Sequence, residues 1–579
     1  MDQDILKRVV SGGTRRASAS LVLAVVATVA LPLVGFLGRA QADDAKAPPL
    51  PAYFTAANAD PQKPTWPDPT GGSSGIWAAP AGDAKGDVPS SLQSGDLYDR
   101  IAHNLFSINM VWTLVTGFLV MFMQAGFMFV ETGLCRAKNA SHTAAMNFLI
   151  YPLGCLGFWA YGFAMGWGNW WNGPVASGWY ASLGPGLSVL NGGLGIGAAV
   201  DAAGNATGAY TYGIVGTKGF FLSSSVNDVA VMAIFFFMMV FMDTTATIPT
   251  GAMAERWAWK NFILYGLWVA FPYCLYANWL WGGGWLAQMG VNWGLGHGAV
   301  DFAGSGVVHG MGGIIGLAGA LVLGPRIGKY TKDGKPQAIP GHNIPMVVLG
   351  TFILAFGWFG FNPGSTLSGT DLRISFIVVN TMLASITGAL GAMATLEVKG
   401  LKHDPSMLCN GMLAGLVAIT APCAFVVPWG AAAIGFIAGI LVVLSVLFLE
   451  KSGVDDVVGA ISVHGTCGLW GVISVGIFAT GEYGAGWNGV VRDGWVKAAG
   501  SDGVRGLLYG DFSQFIAQCI DATVLFITAF VLAYVWFKIS DMITPIRVSA
   551  ETEIEGLDIP EVGAPGYPDF VMTITGHGK

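Results

Sequence analysis

From about residue 108 to residue 538 the chain keeps returning to apolar runs of some twenty residues with few charges inside them. A helical run of that length matches the roughly 30 Å hydrocarbon core of a bilayer. Lipid offers no partner to backbone N–H and C=O groups, so each such run is read as a helix that satisfies them internally. Eleven spans are predicted, near residues 108–134, 142–167, 228–251, 260–287, 304–325, 344–366, 373–397, 407–426, 429–450, 459–480 and 513–538. The expected fold class is an all-α polytopic membrane protein.

Composition supports this. Of 579 residues, 53% are hydrophobic and only 11% are charged, against about 25% charged in an ordinary globular chain. That excludes a soluble multidomain enzyme and a disordered chain. A net charge of −7 argues against a nucleic-acid partner. Cys135, Cys155, Cys274, Cys409, Cys423, Cys467 and Cys519 are scattered, with no C-x-x-C, so no zinc or redox motif is indicated. No metal and no cofactor is expected.

Residues 1–42 read as an export signal. Lys7, Arg8, Arg15 and Arg16 precede an apolar stretch from about Ala19 to Leu37, and Ala40-Gln41-Ala42 fits a cleavage site. Residues 43–103 are rich in Pro, Gly, Ala, Ser and Asp and read as an exported, loosely ordered linker. The membrane domain then occupies 104–540 and a tail 541–579. Basic residues set the expected direction. The loops after odd-numbered spans carry Arg136, Lys138, Arg256, Lys260, Arg326, Lys329, Lys332, Lys335, Lys399, Lys402 and Lys451. The much longer even loops carry only Lys218, Arg373, Arg492, Lys497 and Arg505. Odd loops are therefore expected in the cytoplasm of a cell whose inner membrane holds the chain. The N-terminus is then outside, as a cleaved signal requires, and the tail inside.

Residues 301–313 and 456–468 both fit D-x7-H-G-x-x-G, with Val directly before the His. Asp301 begins an inward span and Asp456 an outward one, five spans later. A 5+5 inverted repeat plus one helix follows, and such repeats place a substrate path at their interface near the midplane. Of eight histidines only His309 and His464, the repeat-matched pair, fall inside apolar spans. An ionisable residue there is a functional candidate by default, and the neighbouring glycines let helices approach closely. Two neutral imidazoles, each with one donor and one acceptor nitrogen, can relay a proton, hold a small polar molecule, or ligate a metal or haem. Haem is the weaker reading, since b-type membrane cytochromes usually present more than one such pair.

Several ordered motifs resemble the ammonium transporter (Amt/Mep/Rh) family across about residues 108–558. They are F-V-E-T-G-L-C-R-A-K-N at 129–139, F-M-M-V-F-M-D-T-T-A-T-I-P-T-G-A-M-A-E-R at 237–256, W-G-G-G at 281–284 and D-F-A-G-S-G-V-V-H at 301–309. G-W-F-G-F-N-P-G-S at 357–365, V-H-G-T-C-G at 463–468 and E-G-L-D at 555–558 complete the set. The resemblance implies the ammonium-transporter fold and transport of ammonium or ammonia. It implies an outer recruiting site of Phe241, Trp281 and Ser365, supported by Asp301. It implies a gate of Phe241 and Phe361 with Phe237 nearby, Trp358 on the pore wall, and His309 and His464 as twin histidines of the conducting path. It further implies a homotrimer in the lipid bilayer and, as in many prokaryotic members, a cytoplasmic PII-type regulator. A sensor acting through a separate partner and a Rh-like neutral channel are the alternatives.

Three features depart from that pattern or lack a role in it. Asp243 stands where much of the family has a small residue, and is expected to pair with the Thr244, Thr245 and Thr247 region or to tune cation attraction. Glu131 is expected to pair with Arg136 or Arg256. The tail beyond Asp558 lacks a His-Gly-Glu stretch present in some members.

Overall fold

The computed structural model describes residues 94–168, 180–183, 185–190, 192–200, 206–490 and 503–568. The export segment 1–42 and residues 43–93 of the expected linker lie outside the described residues. Residues 94–103, assigned to that linker from sequence, are helical, because the first helix opens at Ser94.

Among the described residues the apolar helices follow the predicted order. They are α1 (His103–Leu134), α2 (Ala137–Trp167), α3 (Val229–Met253), α4 (Trp259–Leu280), α5 (Ser305–Leu323), α6 (Ile344–Thr366), α7 (Ile374–Val398), α8 (Pro405–Ile419), α9 (Pro428–Lys451), α10 (Ile461–Phe478) and α11 (Phe512–Ile543). All but α8 are long enough to cross a bilayer. Polar caps start several of them. Asp228 accepts from Ala230 N at 2.8 Å to open α3, and Asn343 from Met346 N at 3.0 Å to open α6.

Helix α8 corrects the expected span 407–426. Asp404 accepts from Ser406 N at 3.0 Å and Pro405 takes the first helical position, so the helix starts early. It then stops at Ile419, before Pro422, whose ring disfavours helix in the residue ahead of it. The released turn stays paired: Phe302 N and Ala303 N donate to the carbonyls of Ala421 and Thr420, both at 3.1 Å. Ser305 Oγ donates to Val417 O and accepts from Ala421 N, both at 2.6 Å. The end of α8 is thus tied to the start of α5.

The all-α expectation also needs one addition. Between α2 and α3 an antiparallel hairpin pairs β1 (Leu194–Val200) with β2 (Ala206–Val215). Trp279 of α4 holds it through Nε1 to Ile214 O at 2.8 Å. Helices α3, α5 and α10 are the most enclosed, whereas Phe118, Phe352, Phe448 and Val531 project outward from α1, α6, α9 and α11. Such exposed apolar flanks need lipid or another apolar surface to cover them.

Candidate functional site

Two π-helical turns build the centre. Ser305–Gly310 opens α5 and Ile461–Thr466 opens α10, each ending near its motif histidine. The motif aspartates cap these turns. Asp301 Oδ1 accepts from Gly304 N at 2.7 Å and Ser305 N at 3.0 Å, and its Oδ2 from Gly306 N at 2.8 Å and Val307 N at 2.9 Å. Asp456 Oδ2 accepts from Ile461 N at 2.8 Å. A carboxylate suits the positive end of a helix, so the repeat's D-to-H spacing is the distance from a cap to its imidazole.

The motif glycines then let the two helices cross. A β-carbon at Gly313 would overlap the backbone of Gly465, and one at Gly468 the backbone of Gly310. The crossing brings His309 and His464 to an Nδ1–Nδ1 distance of 3.2 Å, with ring centroids 5.2 Å apart and both side chains buried. A hydrogen bond at that distance needs one ring nitrogen to donate and the other to accept. The rings lie side by side at 23°. A bis-histidine haem needs them on opposite faces of its macrocycle, which removes the haem reading.

The predicted aromatic residues continue from this pair. His309 stacks on Trp358 at 5.1 Å and lies 5.2 Å from Phe361. Phe361 stacks on Phe241 at 4.0 Å, and Phe241 meets Phe237 at 4.6 Å and Trp281 edge-on at 6.2 Å. Trp281 Nε1 donates to Asp301 O at 2.7 Å, and Trp358 Nε1 to Thr420 Oγ1 at 2.9 Å. Ser365 Oγ donates to Phe361 O at 2.7 Å, so toward an approaching N–H its oxygen acts as acceptor. Asp301 contributes as a cap that holds the turn and Trp281, since backbone amides surround both of its oxygens.

Sequence reasoning missed two members. Phe127 of α1 lies 5.9 Å from the His464 ring, extending the column past the histidines. Thr420 orients Trp358 from the broken end of α8. Phe127 stands four residues before Glu131, and helical spacing was the one available signal.

Two expected pairings are corrected. Glu131 contacts neither Arg136 nor Arg256; its Oε2 accepts from Asn147 Nδ2 at 2.7 Å and Thr250 Oγ1 at 2.8 Å. Asp243 does not pair with its threonines. Thr244 and Thr245 donate to Val240 O and Phe241 O, and Thr247 to Asn147 Oδ1. Asp243 Oδ1 is buried with no hydrogen-bond partner. Two residues past Phe241, it sits on the far side of α3 from the gate.

The arginines are engaged at the end of the bundle where α3 and α5 terminate. Arg136 donates from its backbone N and its Nε to Glu255, both at 2.6 Å. Arg326 grips Asp455 with Nε at 2.8 Å and Nη2 at 2.9 Å, and its Nη1 reaches Glu255 at 3.2 Å. Burial pushes the Asp455 carboxyl up, but Arg256 and Arg326 outweigh it and hold it well below the usual range. Glu255 is likewise raised by burial and brought below its ordinary value by Arg326 and Arg136. The tail docks on this end through α12 (Ala550–Glu555) and α13 (Asp558–Val562). Lys138 Nζ donates to Glu553 O at 2.8 Å, Leu557 N to Asn139 Oδ1 at 2.9 Å, and His142 N to Asp558 Oδ1 at 2.9 Å.

A multi-pass helical bundle with an inverted repeat and a buried aromatic–imidazole column defines a membrane transport protein rather than an enzyme. The Ammonium Transporter Family profile matches residues 111–567. The chain is 46% identical over 471 residues to Ammonium transporter Amt2 of Archaeoglobus fulgidus, covering 81% of this chain and 90% of that one. It is 32% identical over 478 residues to Ammonium transporter Amt1 of Haloferax mediterranei, covering 80% of each. Among solved structures it is similar to a "Sensor Amt Protein", with a TM-score of 0.64 and 31% identity, over 79% of this chain and 99% of that one. The chain belongs to the ammonium transporter family.

Proposed function

We propose that the chain recruits ammonium at Phe241, Trp281 and Ser365, removes a proton at the Phe241–Phe361 gate, and conducts ammonia past His309 and His464. The observation that carries this reading is the unbroken run of buried rings from Trp281 to His464. A bare ion in so apolar a path faces an idealised desolvation cost of tens of kcal/mol. Cation–π attraction supplies about 2 kcal/mol when desolvated, enough to recruit and not enough to conduct. Ammonium escapes the cost by shedding a proton, which potassium does not carry. Ser365 adds a hydrogen-bond acceptor that potassium cannot use.

A ring nitrogen of the histidine pair accepts the proton as the N–H bond of ammonium breaks, and the paired Nδ1 atoms support its onward passage inward beside ammonia, making transport electrogenic. On the same reading the arginine-rich end and docked tail face the cytoplasm of a cell whose inner membrane holds the chain, after cleavage of residues 1–42. The outward apolar flanks supply surface for lipid and for the homotrimer that the family resemblance implies. A PII-type regulator would meet the docked tail.

The test replaces His309 and His464 together with apolar residues of similar size and measures ammonium-evoked current in proteoliposomes. Loss of current with the fold intact is expected. An undiminished, still ammonium-selective current would exclude the relay.

A further inference from the structure

Among the described residues, no cation pairs with the buried acid Glu131. It is 2% exposed on α1, and the side chains that donate to it, Asn147 from α2 and Thr250 from α3, are neutral. The arginines that sequence offered it are taken: Arg136 by Glu255, and Arg256 by the carbonyls of Ala252, Ala254, Gly324 and Asp455. An uncompensated buried charge costs several kcal/mol. A glutamine would accept the same two hydrogen bonds without that cost, so the hydrogen bonds alone do not account for an acid here.

Its position supplies a reason. Glu131 lies four residues beyond Phe127 on α1, about 6 Å along the axis, and Phe127 packs on His464. Gly251 of α3 lies against both Glu131 and Val458, and Val458 stands three residues before the turn that carries His464. His464 keeps 5% exposure where His309 keeps none. The ionisable groups around the carboxyl are Cys135, just past the end of α1, and Tyr265 from α4. Beyond Cys135 comes the Glu255, Arg136 and Arg326 cluster.

We propose that Glu131 is the proton-accepting group at the inner end of the histidine pair, receiving through water the proton that leaves His464. An N–H bond of the imidazole breaks as an O–H bond forms on the carboxyl. Release to cytoplasmic water restores the carboxylate, and no electron is moved. Asn147 and Thr250 position the acceptor oxygen. This inference rests on the proposed relay and adds a residue to it.

The test is Glu131→Gln in proteoliposomes, beside wild type, the double-histidine variant and Glu131→Asp. Glu131→Gln is expected to lower ammonium-evoked current at least about tenfold, with melting temperature and oligomer size unchanged. Glu131→Asp is expected to recover current with a displaced pH profile. Full current and an unaltered pH profile in Glu131→Gln, with wild-type current present, overturn the inference and leave the transport reading standing. Lost current with lost stability, and no recovery by Glu131→Asp, assigns Glu131 a structural role and also overturns it. Absence of ammonium-evoked current in wild type defeats the relay itself.

Discussion

Gly313 lies directly against the backbone of Gly465, each placed next to or one turn from a motif histidine. The contact sets how near the imidazoles come. Gly313→Ala is expected to destabilise the detergent-solubilised protein by about 1–3 kcal/mol or more through overpacking, and to depress uptake. Gly430→Ala is the control, since its β-carbon meets only ordinary contact at 3.7 Å from Phe478. Equal melting temperatures for the two variants would contradict this account of the crossing.

Ser365 tests recruitment apart from conduction. A hydrogen bond to a charged group contributes about 1.5–3 kcal/mol. Ser365→Ala is therefore expected to raise the KM for ammonium about tenfold or more with a smaller change in maximal rate. The check is concentration-dependent current; an unchanged KM removes Ser365 from the site.

Trp358 tests what holds His309. Trp358→Phe keeps a ring against the imidazole and loses the bond to Thr420, a loss of about 1 kcal/mol. It is expected to melt slightly earlier and retain most uptake. Trp358→Leu removes the ring and is expected to lose most uptake; methylammonium uptake in both variants decides.

Asp455 and Glu255 make stability depend on acid. Their folded pKa values are depressed, so their stabilisation is complete above the ordinary carboxylate range, about 4. It is lost as pH falls through the lowered folded values. Melting temperature should therefore drop steeply on acidification. In Asp455→Asn it should start lower, because Arg326 loses its buried partner at a cost of about 3–5 kcal/mol, and fall less with pH. A variant with the wild-type pH slope would place the acid sensitivity elsewhere.

Much of this architecture was legible because lipid makes its demands locally. A spanning helix must carry its own apolar length, so nine of the helices match the apolar runs to within several residues, while α4 stops at Leu280, short of the expected residue 287. The D-x7-H-G-x-x-G repeat gave away the centre because a cap, an imidazole and two glycines must recur at fixed spacing in both halves. Helix α8 was misread at its far end because apolar composition continues past Ile419. What stops the helix there is Pro422 together with carbonyls claimed by Ser305, Phe302 and Ala303, residues more than a hundred positions away.

Sequence alone determined the membrane class, the order of the helices and the identity of the paired histidines, since each follows from local apolarity or strict spacing. Tertiary structure decided who partners whom. Arg136 follows Glu131 by five residues just past α1, and Arg256 follows the end of α3, yet Glu255 and a set of backbone carbonyls capture them, leaving the acid to Asn147 and Thr250. Charge pairing depends on which side chains converge in three dimensions, and no spacing along one helix encodes that competition.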